Sequence, residues 1–289
     1  MKGDRDDDAE RFGVMDAVLP KDMAKRAERA GAEKAEQDGL SLLALAAMAG
    51  AYIAFGATFA ASVSAGFDGE FPIGLGNMLG GLAFSLAYVL AIVGGAELFT
   101  TNNLMVMAWA HGRLPTGWLL RAWGIVFVGN FIGAAATGGM LIVAGQHAES
   151  AGAVGTSLLE SAARLNALGF VEALFLGILG NTLLCLGVWL TYSARSTTDR
   201  ILALIPPVAA FYALGLEHAV AVMFYLPCAA FIGVLAEPGF WTMVPQAPPA
   251  ITPGGFLRVL LPVTLGNVMG GGVLVALAYW FVYLRPGRV

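Results

Sequence analysis

Glu97 follows Gly95 by two residues, and Glu217 follows Gly215 by two, each inside a long apolar stretch of the chain. A carboxylate facing lipid is costly, so such residues face a protein interior or a polar pathway. Paired glycine-broken apolar segments in the two halves of a chain point to a transport site near the bilayer midplane. The first break also carries Thr100, Thr101, Asn102 and Asn103, enough polar groups for a folded-back loop, and the second carries His218. Of the three histidines only His218 falls in an apolar stretch, with His111 and His147 in connections. Its ring titrates near neutrality, so it could attract a small anion when protonated. Alternatively it could lend a proton to a weak-acid anion, which then crosses an apolar barrier as a neutral species. Glu97 and Glu217 would repel an anion if they faced such a pathway ionised. They are expected instead to accept hydrogen bonds from backbone N–H groups at half-helix ends, where the positive dipole end favours a carboxylate.

The rest of the chain must hold these groups at membrane depth. Hydrophobic residues make up 58% of its 289 positions and charged residues only 12%, about half the usual share. Residues 40–67, 71–96, 122–146, 173–194, 201–216, 219–236 and 259–284 contain no Asp, Glu, Lys or Arg. Several exceed the roughly 20 residues needed to cross a bilayer, which excludes a soluble all-α core. Joining the shorter runs across Glu97 and across Glu217-His218 leaves six spans, centred near residues 53, 90, 133, 181, 217 and 271. Fourteen of the 16 Lys and Arg residues fall in the N-terminal segment, the connections after spans two and four, and the C-terminus. Only Arg164 and Arg258 lie on the opposite side, so both termini are expected in the cytoplasm, with a bacterial-type inner membrane as the setting.

The two halves repeat more than hydropathy. Gly129-Asn130 is followed by Gly133 in span three, and Gly266-Asn267 by Gly270 in span six. Each half therefore reads as an intact span, a broken span and a span with Gly-Asn-x-x-Gly. Three spans per half is an odd number, so the repeats must insert in opposite orientations. The expected fold is an all-α membrane protein, with repeat one at 39–146 and repeat two at 166–285. Small residues at that spacing let helices approach closely, and Asn130, Asn267 and Asn181 can bond backbone freed at a break.

Residues 1–38 form a cytoplasmic segment without a signal-peptide core. Within it, 21–37 read as a short amphipathic helix with a stripe of Met23, Ala24, Ala27 and Ala30. A solvated tail is the first expectation, and docking on the cytoplasmic mouth the second. An extra apolar loop at 238–257, rich in Pro, Gly and Trp, could lie over the outer mouth. Cys185 and Cys228 read as small apolar packing residues. No metal spacing or disulfide framework is present, and neither a cofactor nor a nucleic-acid partner is expected.

At the breaks the chain resembles the formate/nitrite transporter family. The matching stretches run through Leu79-Gly80-Gly81-Leu82-Ala83-Phe84-Ser85, Ala96-Glu97-Leu98-Phe99-Thr100, Gly177-Ile178-Leu179-Gly180-Asn181, Gly215-Leu216-Glu217-His218 and Leu261-Pro262-Val263-Thr264-Leu265-Gly266-Asn267. The resemblance implies an aquaporin-like protomer, a homopentamer and one substrate pore per protomer. It implies that His218 and Thr100 face each other at the pore centre. Phe84 and Phe211 would form a periplasmic constriction, and Leu98, Phe99 and Leu184 a cytoplasmic one. Lys34 falls where family members keep a Lys. Three positions depart from the family pattern. Tyr88 stands where formate channels often carry Leu, Val222 replaces a common Asn, and Leu165 takes the place of an outer Lys, with Arg164 beside it.

The resulting expectation is a pH-dependent channel or proton-linked carrier for a small monovalent anion. Formate is placed first, with nitrite, hydrosulfide, acetate or lactate as alternatives. A neutral-solute pore fits less well, because paired Asn-Pro-Ala caps are missing and a pore His argues against it. An intramembrane enzyme using Glu217 and His218 as an acid–base pair fits least, because neither a nucleophile nor a metal set accompanies them.

Overall fold

A computed structural model describes residues 17–66, 71–244 and 250–286. All regular secondary structure among them is helical. The expectations for residues 1–16, for 245–249 of the apolar loop, and for Arg288 lie outside the described residues.

The first half contains α1 (Pro20–Glu36), α2 (Gly39–Ser64), α3 (Ile73–Val93), a 3₁₀ turn (Thr101–Met105) continuing into α4 (Val106–Ala110), and α5 (Thr116–Val143). After α6 (Ala153–Ala167), the second half contains α7 (Phe170–Thr191), α8 (Thr197–Ala213), α9 (Ala219–Leu235) and α10 (Pro238–Met243). It ends with α11 (Pro253–Val268), which runs through a π-helical stretch (Met269–Leu277) into α12 (Ala278–Tyr283). Among the described residues, five helices are long and apolar enough to cross a membrane: α2, α3, α5, α7 and the continuous Pro253–Tyr283 rod. The sixth crossing depends on joining α8 to α9 across the break between them.

The packing pairs equivalent elements. Helix α2 lies along α5, as α7 lies along α11, and α3 faces α8 across the centre. The Gly-Asn-x-x-Gly glycines set the closeness of these pairs. A Cβ at Gly133 would overlap the Ala47 carbonyl, and one at Gly270 would overlap the Ile178 carbonyl. Large apolar side chains such as Leu40, Ile73, Val143 and Val234 stay on the outside, as expected where lipid or another protein surface is the solvent.

Two connecting segments differ from the first expectation or refine it. Helix α1 is not a solvated tail: Met23, Ala24, Ala27, Gly31 and Ala35 are buried, and α1 packs on the 3₁₀ turn and α4. Its small face reaches the bundle because Gly31 lets the helix close on Met105, while Arg121 donates to the carbonyls of Ala35 and Gln37 at its end. In the apolar loop, Phe240 and Val244 are buried, with the Phe240 ring 5.0 Å from His147. This part of the loop therefore packs on the connection between α5 and α6.

Candidate functional site

Each break in an apolar helix must satisfy its freed backbone groups, because no water does so at membrane depth. The two breaks solve this in the same way. After α3, Gly95 turns with a φ of +78° and the Ala96 N–H reaches back to Ala91; after α8, Gly215 turns with a φ of +64° and the Leu216 N–H reaches back to Phe211. The Glu97 N–H then donates to the Leu45 carbonyl of α2, and the Glu217 N–H to the Leu176 carbonyl of α7.

An asparagine from the third span of each half completes the clamp. Asn130 accepts from the Phe99 N–H at 2.8 Å and donates to the carbonyls of Glu97 and Ala46. Asn267 accepts from the Ala219 N–H at 2.8 Å and donates to the carbonyls of Glu217 and Gly177. Asn181 ties the halves together, donating to the carbonyls of Thr100 and Asn267. All three asparagines are fully buried.

The carboxylates themselves do not bind backbone N–H groups, contrary to expectation. Both are buried, and each meets a cation from outside its own span. Lys34 of α1 donates to Glu97 at 2.9 Å, and Arg164 of α6 lies 2.8 Å from Glu217. The asparagine amides have already taken the free N–H groups, and an ion pair compensates a desolvated carboxylate more fully than a single amide would. Lys34 also donates to Asn102 at 3.1 Å. Arg164 reaches the break although Leu165 holds the aligned position; Leu165 turns into the core.

His218 caps α9 with its side chain. Its Nδ1 accepts the Ala221 N–H at 3.1 Å, so the neutral ring carries its proton on Nε2. That nitrogen lies 2.8 Å from the Thr100 Oγ1 and 2.9 Å from the Tyr88 hydroxyl. His218, Thr100 and Tyr88 have no exposed surface. The trio joins three elements: α3, the 3₁₀-turn break and the start of α9.

Two cavities approach this trio from opposite ends of the same helices. The first, of about 250 Å³, is lined by Gly31 and Lys34 of α1, Ile92 of α3, Glu97, Thr191 of α7 and Arg200 of α8. The second, of about 280 Å³, is lined by Asn77 and Phe84 of α3, Arg164, Phe211 of α8, Glu217 and Tyr225. The glycine turn before Glu97 opens into the first and that before Glu217 into the second, which is how an inverted pair of motifs must point. The trio lines neither cavity. Toward the second, Phe84 and Phe211 stack at 6.1 Å between centroids, with Phe211 6.2 Å from the His218 ring and Phe84 6.4 Å from Tyr88. Leu98 and Leu184 share the buried cluster of Phe84, Tyr88 and Phe211. The Phe99 ring instead packs edge-on against Trp123 and Phe127 of α5.

The structure thus brings together Glu97, Asn130 and Phe99 at one break, Glu217 and Asn267 at the other, and His218, Thr100 and Tyr88 between them. Sequence reasoning misses that Asn102 holds Lys34 and that Arg200 lines the same cavity, since no local spacing links these residues.

Known proteins resemble the chain along nearly its whole length. Formate channel FocA of Escherichia coli K12 is 40% identical over 274 residues, covering 93% of this chain and 96% of that protein. Formate channel FocB of the same organism is 36% identical over 275 residues, with coverage of 93% and 96%. A solved structure described as a pentameric formate channel with formate bound superposes with a TM-score of 0.80 at 37% identity, covering 86% of this chain and 98% of that one. A second solved structure, an FNT family ion channel, shares the fold with a TM-score of 0.76 at 24% identity, covering 90% and 98%. Residues 21–281 match the formate/nitrite transporter family, and the chain is a multi-pass membrane protein belonging to that family.

Proposed function

We propose that the chain is a channel for small monovalent anions of weak acids, formate first, acting as a homopentamer with one pathway per protomer. The observation that carries this reading is His218 held between Thr100 and Tyr88 in a closed segment between two cavities. Each cavity has a carboxylate already neutralised by Lys34 or Arg164. An incoming anion therefore meets no unpaired negative charge from these glutamates, and it meets a partly exposed cation at either end. The homology to formate channels supports the choice of formate, and the likeness to a pentameric formate channel supports the assembly.

The pathway runs from the cytoplasmic cavity, under α1, past Leu98, Leu184 and the trio, to Phe84 and Phe211 and the outer cavity. An apolar constriction imposes a barrier on a hydrated ion. The trio offsets part of that barrier with N–H and O–H donors aimed at one place. The neutral His218 serves as a hydrogen-bond donor through Nε2. A second proton on Nδ1 has to displace the Ala221 N–H, so a pH-dependent change at this ring carries a local rearrangement of the α9 start. The Lys and Arg distribution supports both termini in the cytoplasm, and likeness to formate channels of Escherichia coli supports a bacterial-type inner membrane. Nitrite, hydrosulfide and lactate are the competing substrates. Uptake of formate, nitrite, hydrosulfide and lactate into proteoliposomes at two pH values tests the reading. Formate uptake above that of empty liposomes and dependent on pH is expected; equal flux of formate and an uncharged solute of similar size would overturn it.

A further inference from the structure

The central trio holds more protons than it can use. With Nδ1 of His218 occupied by the Ala221 N–H, the ring presents Nε2–H to two hydroxyl oxygens, those of Thr100 at 2.8 Å and Tyr88 at 2.9 Å. Both hydroxyls bring their own proton as well. Three protons therefore face a group with two oxygen acceptors, and Nε2 has no lone pair left to accept from either hydroxyl. The two hydroxyls also lie within hydrogen-bond reach of each other, but the described side-chain hydrogen bonds give them no acceptor outside the trio. The Thr100 backbone carbonyl is itself taken by the Asn181 amide. At least one O–H in the trio is left without an acceptor, in a place where the surroundings are apolar and a buried unmatched donor is costly.

We propose that Tyr88 is a specificity-determining residue that donates its hydroxyl proton to the second oxygen of a two-oxygen anion while His218 and Thr100 hold the first. This deepens the channel reading and rests on it. A single-atom acceptor must draw every hydrogen bond to one point, whereas a two-oxygen anion can leave one oxygen to the His218–Thr100 pair and offer the other to Tyr88. A planar anion with two oxygens spans the His218–Thr100 pair and the Tyr88 hydroxyl at once, so the geometry favours the formate and nitrite class over hydrosulfide or a halide. Position suits this role: the Tyr88 ring is fully buried, with Phe84 at 6.4 Å and His218 at 6.0 Å between centroids. The hydroxyl can be removed without altering the width set by the rings.

Tyr88→Phe in proteoliposomes is the test, with uptake measured against concentration for formate, nitrite and hydrosulfide beside the unaltered protein. The half-saturating concentration of formate and of nitrite should rise about tenfold, the equivalent of one lost hydrogen bond to a charged acceptor. That of hydrosulfide should stay within about twofold. Tyr88→Leu, which removes ring and hydroxyl together, should show the same loss for two-oxygen anions and provides the comparison if the Phe variant inserts poorly. Unchanged values for formate and nitrite in Tyr88→Phe overturn the proposal. So does an equal loss for all three anions, which marks a residue that merely positions the His218 ring. An unaltered protein that takes up none of the three overturns the channel reading, and this inference with it.

Discussion

Asn130 and Asn267 make the same three hydrogen bonds in the two halves of the molecule, each accepting one backbone N–H and donating to two backbone carbonyls at a helix break. Removing either amide takes the side-chain partner from a buried N–H and a buried carbonyl at the break, and a second donor from a carbonyl inside α2 or α7. Asn130→Ala and Asn267→Ala should each destabilise the protein by roughly 2–4 kcal/mol and lower its melting temperature in detergent by similar amounts. A large loss for one and almost none for the other would show that the two clamps are not equivalent.

The two ion pairs should differ in strength. The Lys34 and Glu97 side chains are 27% and 4% exposed, whereas Arg164 is 51% exposed against 3% for Glu217. Solvent screens the second pair more. A double-mutant cycle with Lys34→Met and Glu97→Gln should give a coupling of about 1–2 kcal/mol, and one with Arg164→Met and Glu217→Gln less than about 1 kcal/mol. In the first case trypsin should also cut faster at Lys21, Lys25 and Arg26, because α1 loses the contact that holds its end in the cavity. A reversed order of the couplings counts against the screening argument.

His218→Phe should flatten the pH dependence of uptake while leaving assembly intact. The ring is the one histidine at the central site, and Phe keeps its volume without a titratable nitrogen. Uptake in the variant that follows pH as in the unaltered protein would remove His218 from that role.

Phe84→Ala combined with Phe211→Ala should raise the lactate-to-formate uptake ratio. The stacked pair lines the second cavity and lies beside Tyr88 and His218, and on the proposed pathway an opened apolar constriction loses its discrimination by size. Two rings that only pack the core would cost stability and leave the ratio unchanged, once flux is normalised to inserted protein.

His147 gives a separate pH effect, on stability. Burial lowers its affinity for a proton, opposed in part by a hydrogen bond with the Ile142 backbone, and the Phe240 ring covers it. The folded state therefore binds fewer protons here than the unfolded chain. The contribution is complete above the ordinary histidine value near 6.5 and is lost as pH falls below it. The melting temperature should drop between pH 8 and pH 5, and His147→Phe should reduce that drop; an identical pH profile in the variant would contradict the assignment.

Much of this was legible because the decisive features are local. The Gly95–Glu97 and Gly215–Glu217 spacings marked both breaks, and the Gly-Asn-x-x-Gly elements marked the helices that clamp them. What stayed hidden joins residues far apart in the chain. Lys34 and Glu97 are separated by 63 positions, and Tyr88 and His218 by 130, so no periodicity could pair them. The sequence points the carboxylates at backbone N–H groups because no local spacing tells that the asparagine amides take such donors or that Lys34 and Arg164 come within reach. Helix α1 reads first as a solvated tail, and only second as a docked segment, because Ala24, Ala27 and Gly31 form a face too weakly apolar to declare a partner. It docks because Gly31 lets it close on Met105 and Ala108, with Ala24 and Ala27 buried beside it.

The side chain proposed to meet the passing ion is also the cap of a helix. Because the Ala221 N–H rests on the His218 ring, a proton arriving at Nδ1 and the release of that amide are one event. The amide of Ala221 is therefore a built-in reporter: its exchange with deuterium should quicken as the ring gains charge. The state of an otherwise hidden imidazole becomes readable from the backbone of a neighbouring alanine.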